Sequence, residues 1–123
     1  MLNLDTHILI AAIRERLRDD EDRVLESDHW AISGIVLWEL GQLDRERRIR
    51  ITLDDARVRR LLDRIEILPI TFEIAHALRR LDFRSDPADE IIAATSIVHD
   101  IPLVTRDTRI LVSKVVPFAL RYE

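Results

Sequence analysis

The 123-residue chain has no cysteine, two glycines and a single lysine, and only 5% of its residues are aromatic. Without cysteine there is no disulfide, no thiolate metal site and no cysteine nucleophile. With two glycines and four prolines there is no obvious linker, and neither an internal repeat nor a low-complexity segment is visible. No apolar run approaches the roughly 18 residues of a membrane span, and no signal-peptide pattern opens the chain. The expectation from these absences is a cytoplasmic protein. The 47% apolar content is too high for intrinsic disorder. The length suits a single domain over residues 1–123.

Nineteen basic residues against 23 acidic ones give a net charge of −4. That excludes binding to nucleic acid through overall positive charge, but not through a local patch. Eighteen of the basic residues are arginine and the other is Lys114. Genome composition is one explanation. The guanidinium fork, which suits phosphate and carboxylate partners, is another.

Short apolar runs alternate with segments of helical periodicity. A buried strand runs from Met1 to near Asp5 and a helix follows over Ile8–Arg18. A short helix is predicted over Glu21–Ser27 and a strand over Trp30–Ser33. Ile35, Val36, Leu40 and Leu43 recur at helical spacing within Ile35–Arg48. Thr52 and Asp55 resemble a capping box ahead of the stripe Val58, Leu61, Leu62 and Ile65. Ile67–Ile70 reads as a strand that Pro69 places at an edge or an end. Thr71 caps a helix to about Leu81. Asp86-Pro87 opens a helix to about Val98, with Asp86 as N-cap and Pro87 in the first turn. Pro102–Thr105 and Val115–Phe118 complete the strands. The alternation predicts an α/β domain with a mainly parallel sheet flanked by helices.

Asp5 and Asp107 follow strand ends, and Asp89 lies in the first turn of the helix before the Asp107 strand. In open parallel sheets, sites lie beyond the carboxyl ends of the strands. Glu39 falls on the apolar stripe of its helix, where a carboxylate is costly unless paired, protonated or metal-bound. Each acid has a plainer reading. Asp5 and Asp86 would serve as helix caps, Asp89 as a capping partner, Asp107 as a turn residue, and Glu39 as the partner of an arginine. Together at one sheet edge, their mutual repulsion calls for protonation or a cation. All-oxygen ligation suits Mg²⁺ or Mn²⁺. The chemistry that follows is metal-assisted phosphodiester hydrolysis.

Four segments then carry a family resemblance over essentially the whole chain. They are Leu4-Asp5-Thr6-His7-Ile8-Leu9, Trp38-Glu39-Leu40, Asp86-Pro87-Ala88-Asp89-Glu90-Ile91-Ile92-Ala93-Ala94-Thr95 and Pro102-Leu103-Val104-Thr105-Arg106-Asp107. In this order, with 18 residues from Asp89 to Asp107, they resemble the acid motifs of PIN-domain nucleases, specifically VapC-type toxins of toxin–antitoxin pairs. The resemblance implies a Mg²⁺- or Mn²⁺-dependent endoribonuclease silenced by an antitoxin, with Asp5, Glu39, Asp89 and Asp107 as catalytic, metal-binding acids. It makes Asp86 an accessory acid or a cap. Thr6 and Thr105 would position water or support Asp5 and Asp107. Glu90 departs from the family, where many relatives carry arginine, and adds negative charge beside the third acid.

Further residues have two readings each. Arg45, Arg47, Arg48 and Arg50 form a solvated helix end or a phosphate-guiding patch. His7 serves packing or substrate contact; His29, His76 and His99 are structural or surface residues. Trp30 and Trp38 are core or interface anchors rather than base-stacking platforms. Ile8, Leu9, Ala12, Ile13, Leu37 and Leu40 belong to the core or to a homodimer face. The competing functions are an antitoxin-independent RNA-processing nuclease and a non-catalytic binding domain whose acids are caps and ion pairs. A receiver-like phosphorylation module is a further alternative, but it requires a strand-end lysine, and Lys114 is badly placed for that role.

Overall fold

The computed structural model describes residues 1–48 and 52–122. Arg50 lies outside the described residues. Four strands, β1 (Leu2–Leu4), β2 (Trp30–Ser33), β3 (Glu66–Leu68) and β4 (Leu103–Val104), form one parallel sheet in the order β3-β2-β1-β4. The helices are α1 (Thr6–Ile13), α2 (Asp19–Glu26), α3 (Gly34–Arg45), α4 (Ala56–Leu62), α5 (Phe72–Ala77), α6 (Pro87–His99) and α7 (Thr108–Leu111), with a 3₁₀ turn at Leu78–Arg80. The α/β parallel class expected from the alternation is what forms. β1 and β4 are buried along their whole length, as parallel strands covered by helices must be. β3 lies at an edge, as Pro69 suggested.

Leu4, Ile8, Leu9, Ile32, Val36, Leu40, Ile92, Leu103, Val104 and Ile110 form a fully buried centre. This removes Ile8, Leu9 and Leu40 from any dimer face. Ala12, Ile13 and Leu37 pack against the core and keep some surface. Among the described residues, no helix is long and apolar enough to cross a membrane.

Helix ends are where the expectations fail most, and scarce glycine is the reason. α1 stops at Ile13 rather than Arg18, because Glu15 takes φ 57° and the Arg16 N–H donates to the Ala11 carbonyl at 2.8 Å. α3 stops at Arg45 rather than Arg48 in the same way, with Arg47 at φ 55° and the Arg48 N–H on Leu43 O at 2.9 Å. Asp100 at φ 52° closes α6, with the Ile101 N–H on Ser96 O. These are Schellman closures, whose left-handed position glycine normally fills. Here Glu, Arg and Asp fill it, so the stop signal is invisible in the sequence. A non-glycine residue in this region costs about 1–2 kcal/mol. Glu15→Gly is therefore expected to stabilise the domain by about 1 kcal/mol, after allowance for the freer unfolded chain, as read by urea denaturation.

Other differences are local. Asp55, not Thr52, is the N-cap of α4, accepting from the Arg57 N–H. The expected Val115–Phe118 strand is a single bridge between Leu103 and Phe118, and Val115 and Phe118 are not fully buried. The expected cap at Thr71 is present, its hydroxyl accepting from the Ile74 N–H. α5 itself is shorter than expected and passes into the 3₁₀ turn.

Candidate active site

The strand order places a topological switch point at the carboxyl ends of β1 and β4. There the chain leaves β1 towards β2 and β3 and crosses back to β4. Ligand sites of open parallel sheets lie at such a crevice. Asp5 follows β1 and is 3% exposed. Its N–H continues the ladder to the Val104 carbonyl, and its Oδ2 accepts from the Thr105 hydroxyl at 2.6 Å. Thr105 Oγ1 also accepts from the Asp107 N–H at 3.1 Å. One hydroxyl thus ties the ends of the two strands and spaces the two acids. Asp5 is an N-cap by position only, since its side chain makes no capping bond.

Asp89 enters from the first turn of α6. Its Oδ2 accepts from the Ser85 hydroxyl at 2.7 Å. The Ser85 N–H donates to Glu90 Oε2 at 2.9 Å. Glu90 therefore braces the approach to the helix. Asp86 holds the N-cap position but makes no side-chain cap bond, contrary to its expected capping role. Glu39, half-buried on the second turn of α3, accepts from the Thr6 hydroxyl. The Thr6 hydroxyl therefore supports Glu39, and only the Thr6 backbone acts on Asp5.

Electrostatics separate the acids. Burial pushes the Asp5 carboxyl above the usual carboxylate range, with the Thr105 hydrogen bond opposing and the charge of Asp89 adding. Burial likewise raises Asp89, opposed by Ser85 and reinforced by Asp107 and Asp86. Asp107 is partly buried too, yet its bonds to Arg109 outweigh that burial and hold it below the usual range. Asp107 is also the N-cap of α7, accepting from the Arg109 N–H.

Arg109 is the residue that sequence reasoning missed. Its Nη2 lies 3.1 Å from Asp107, 3.6 Å from Asp89 and 3.9 Å from Asp86. The guanidinium is the internal counter-charge of the cluster. Its sequence signal was an arginine two positions past an acid at a helix start, a pattern too common to single out.

The four expected acids do not already form a ligand set. Among the described residues, no three His, Asp or Glu side chains stand together as a metal cage. The donors nevertheless fit a hard cation. They are carboxylates throughout, and one positive group already sits among three of them. Of Arg45, Arg47 and Arg48, only Arg48 lines the groove beside these acids, together with Thr6, His7, Trp38, Glu39 and Asp86. Arg45 turns back to Gln42. His7, His29, His76 and His99 are all exposed.

A family model for the PIN domain matches residues 3–115. The chain belongs to the PIN-domain family, and its fold is that of the class. Within the class it is 31% identical over 113 residues to Ribonuclease VapC22 of Mycobacterium tuberculosis, covering 87% of each chain. It is a VapC-type PIN-domain protein. Among solved structures, it resembles a toxin–antitoxin complex from Klebsiella pneumoniae at 26% identity and TM-score 0.66, over 90% of each chain. It shares its fold with VapBC2 of Rickettsia felis, bound to a promoter DNA fragment, at 22% identity and TM-score 0.71, over 96% of this chain and 97% of that one.

Proposed function

We propose that this chain is the ribonuclease toxin of a toxin–antitoxin pair and hydrolyses RNA phosphodiester bonds with Mg²⁺ or Mn²⁺ held by Asp5, Glu39, Asp89 and Asp107. The observation that carries this reading is the convergence of carboxylates from separate elements at the β1/β4 switch point, around a positive group they already hold. The identity with a VapC ribonuclease supports it. The partner is an antitoxin protein, in keeping with the solved toxin–antitoxin relative. A homodimer belongs to the same reading; of the residues offered for its face, Ala12, Ile13 and Leu37 keep surface.

A cation at these oxygens would activate a water and offset charge building on the scissile phosphate. The chain's own residues prepare for that. Thr105 fixes Asp5, Ser85 fixes Asp89 and Thr6 fixes Glu39, so three of the four carboxylates are each oriented by a hydroxyl donor, and Asp107 is oriented by Arg109. Such outer partners set how well ligands are aimed. Arg109 lowers the repulsion among Asp86, Asp89 and Asp107 and would compete with a cation for the oxygens of Asp89 and Asp107.

The direct test is cleavage of total RNA by the purified chain with Mg²⁺ or Mn²⁺ and with EDTA, beside calorimetry of metal binding without RNA. Metal-dependent cutting is expected. A chain that neither cuts nor binds a divalent ion is not this nuclease. Arg109→Gln removes the competing positive charge, so Mn²⁺ affinity in the absence of RNA is expected to rise several-fold. Unchanged or weaker binding would mean that Arg109 does not compete for those oxygens.

A further inference from the structure

The groove beside the acids has one wall that the chemistry above leaves unused. Trp38 precedes Glu39 on α3, about 100° round the helix from it, and is 59% exposed. The other tryptophan, Trp30, is half-buried and donates its indole N–H to the Leu25 carbonyl at 2.8 Å. Leaving so large an apolar ring in water is unfavourable unless something covers it. The ring borders a cavity of about 340 Å³ whose walls include Thr6, Glu39 and Asp86 on the acid side and His7 and Arg48 as donors. A cavity of this size lies within the range of small-ligand sites, roughly 300–1,000 Å³.

We propose that Trp38 is the stacking platform for an unpaired base of the RNA strand, beside the phosphate that the acids act on. This rests on the nuclease reading above. With Glu39, Glu46 and Asp86 in the groove, phosphate attraction alone does not hold a strand there. A neutral ring supplies attraction that carboxylates do not oppose, and every base has a face to stack. Arg48, whose Nη1 pairs with Glu46 at 3.3 Å, has further guanidinium donors for a phosphate at the rim. A duplex keeps its bases stacked inside and offers no face to the ring. Leu43 excepted, the rest of the lining is polar or charged, which suits a nucleotide better than the apolar face of a protein helix.

The test uses the Asp5→Asn chain in Mg²⁺, so that the strand is bound and not cut, with a short mixed-sequence RNA and the hairpin duplex of that sequence as probes. Single-stranded RNA is expected to quench tryptophan emission saturably. Trp38→Leu, added to that chain, is expected to weaken its binding about tenfold and to remove the quenching. Trp38→Phe should restore most of the affinity, because a ring rather than apolar bulk is required. Duplex binding should be the same with and without Trp38. Equal affinity of the Leu variant for the single strand, quenching that persists without Trp38, or no binding by the Asp5→Asn chain overturns the platform. So does loss of antitoxin binding in Trp38→Leu with RNA binding intact, which would make the ring a protein anchor. Cleavage by the intact chain, measured in parallel, separates the two readings. Metal-dependent cutting without ring-dependent binding overturns only the platform, and ring-dependent binding without cutting overturns only the nuclease.

Discussion

Asp89→Asn is expected to abolish RNA cleavage, by at least about a hundredfold, and at the same time to raise the melting temperature of the metal-free chain. The two effects have one cause. Asp89 is partly buried beside Asp107 and Asp86, and its carboxyl is pushed above the ordinary range. A carboxyl raised in the fold contributes its stability at low pH and loses it as pH rises through the folded value. Near neutrality the ionised group therefore weakens the fold, and a neutral isostere relieves that. Asp5→Asn should behave alike, since burial raises Asp5 in the same direction and an asparagine oxygen can still accept from Thr105. Cleavage assays and thermal unfolding in EDTA on the same protein check both halves. An inactive variant that is also destabilised would point to damage rather than to a lost ligand. Full activity in both variants would remove these acids from the chemistry.

Arg106→Ala is expected to cost about 3–5 kcal/mol, much of a typical domain's stability. Glu21 is fully buried, and Arg106 holds it with Nη2 at 2.6 Å and Nε at 2.7 Å. The Arg18 N–H at 2.8 Å and the Tyr122 hydroxyl at 2.7 Å complete its shell. Burial alone would raise Glu21, but these donors, Arg106 first, bring its pKa down to about 2 from an ordinary 4.5. That difference corresponds to about 3 kcal/mol of stability. Because the folded value is the lower one, this contribution is present above about pH 4.5 and is lost as pH falls towards 2. Truncating Arg106 leaves a buried, uncompensated carboxylate. Glu21→Gln should cost less, because Arg106 can turn to water, and the double variant should cost less than the sum. Urea denaturation at pH 7 and pH 3 measures all three, and the deficit of Arg106→Ala should shrink at the lower pH. Arg106 lies between Thr105 and Asp107, so the clamp also fixes the strand end that carries the site.

Elements whose start has a chemical mark were readable in the sequence. Thr71 caps α5 as expected, and Asp86-Pro87 marks the start of α6. Trp30–Ser33 is the strand its residues predict. Helix ends were not readable at Glu15 and Arg47, because a left-handed turn made without glycine leaves no compositional trace, whereas the end of α6 at His99 falls within a residue of the expected Val98. The last segment failed for a different reason. Val115–Phe118 has strand propensity but bridges the sheet only at Phe118, and propensity says nothing about available ladder partners.

The sequence by itself determined the parallel α/β class, because apolar runs of strand length alternate with helical periods. It also determined which four acids to examine, because the strand-end and helix-start positions of Asp5, Asp89 and Asp107 and the place of Glu39 on an apolar stripe are local facts. The tertiary structure alone decided what each acid meets. The order β3-β2-β1-β4 brings Asp5 to Thr105, which stands 100 residues away, and the crossover through α6 brings Arg109 among Asp86, Asp89 and Asp107. It turned Thr6 to Glu39, closed Glu21 under Arg106 and left Trp38 in water. Periodicity records which face of an element is apolar. Which side chains from distant elements then share a polar site depends on strand order and helix packing, and these are settled by burial across the whole chain.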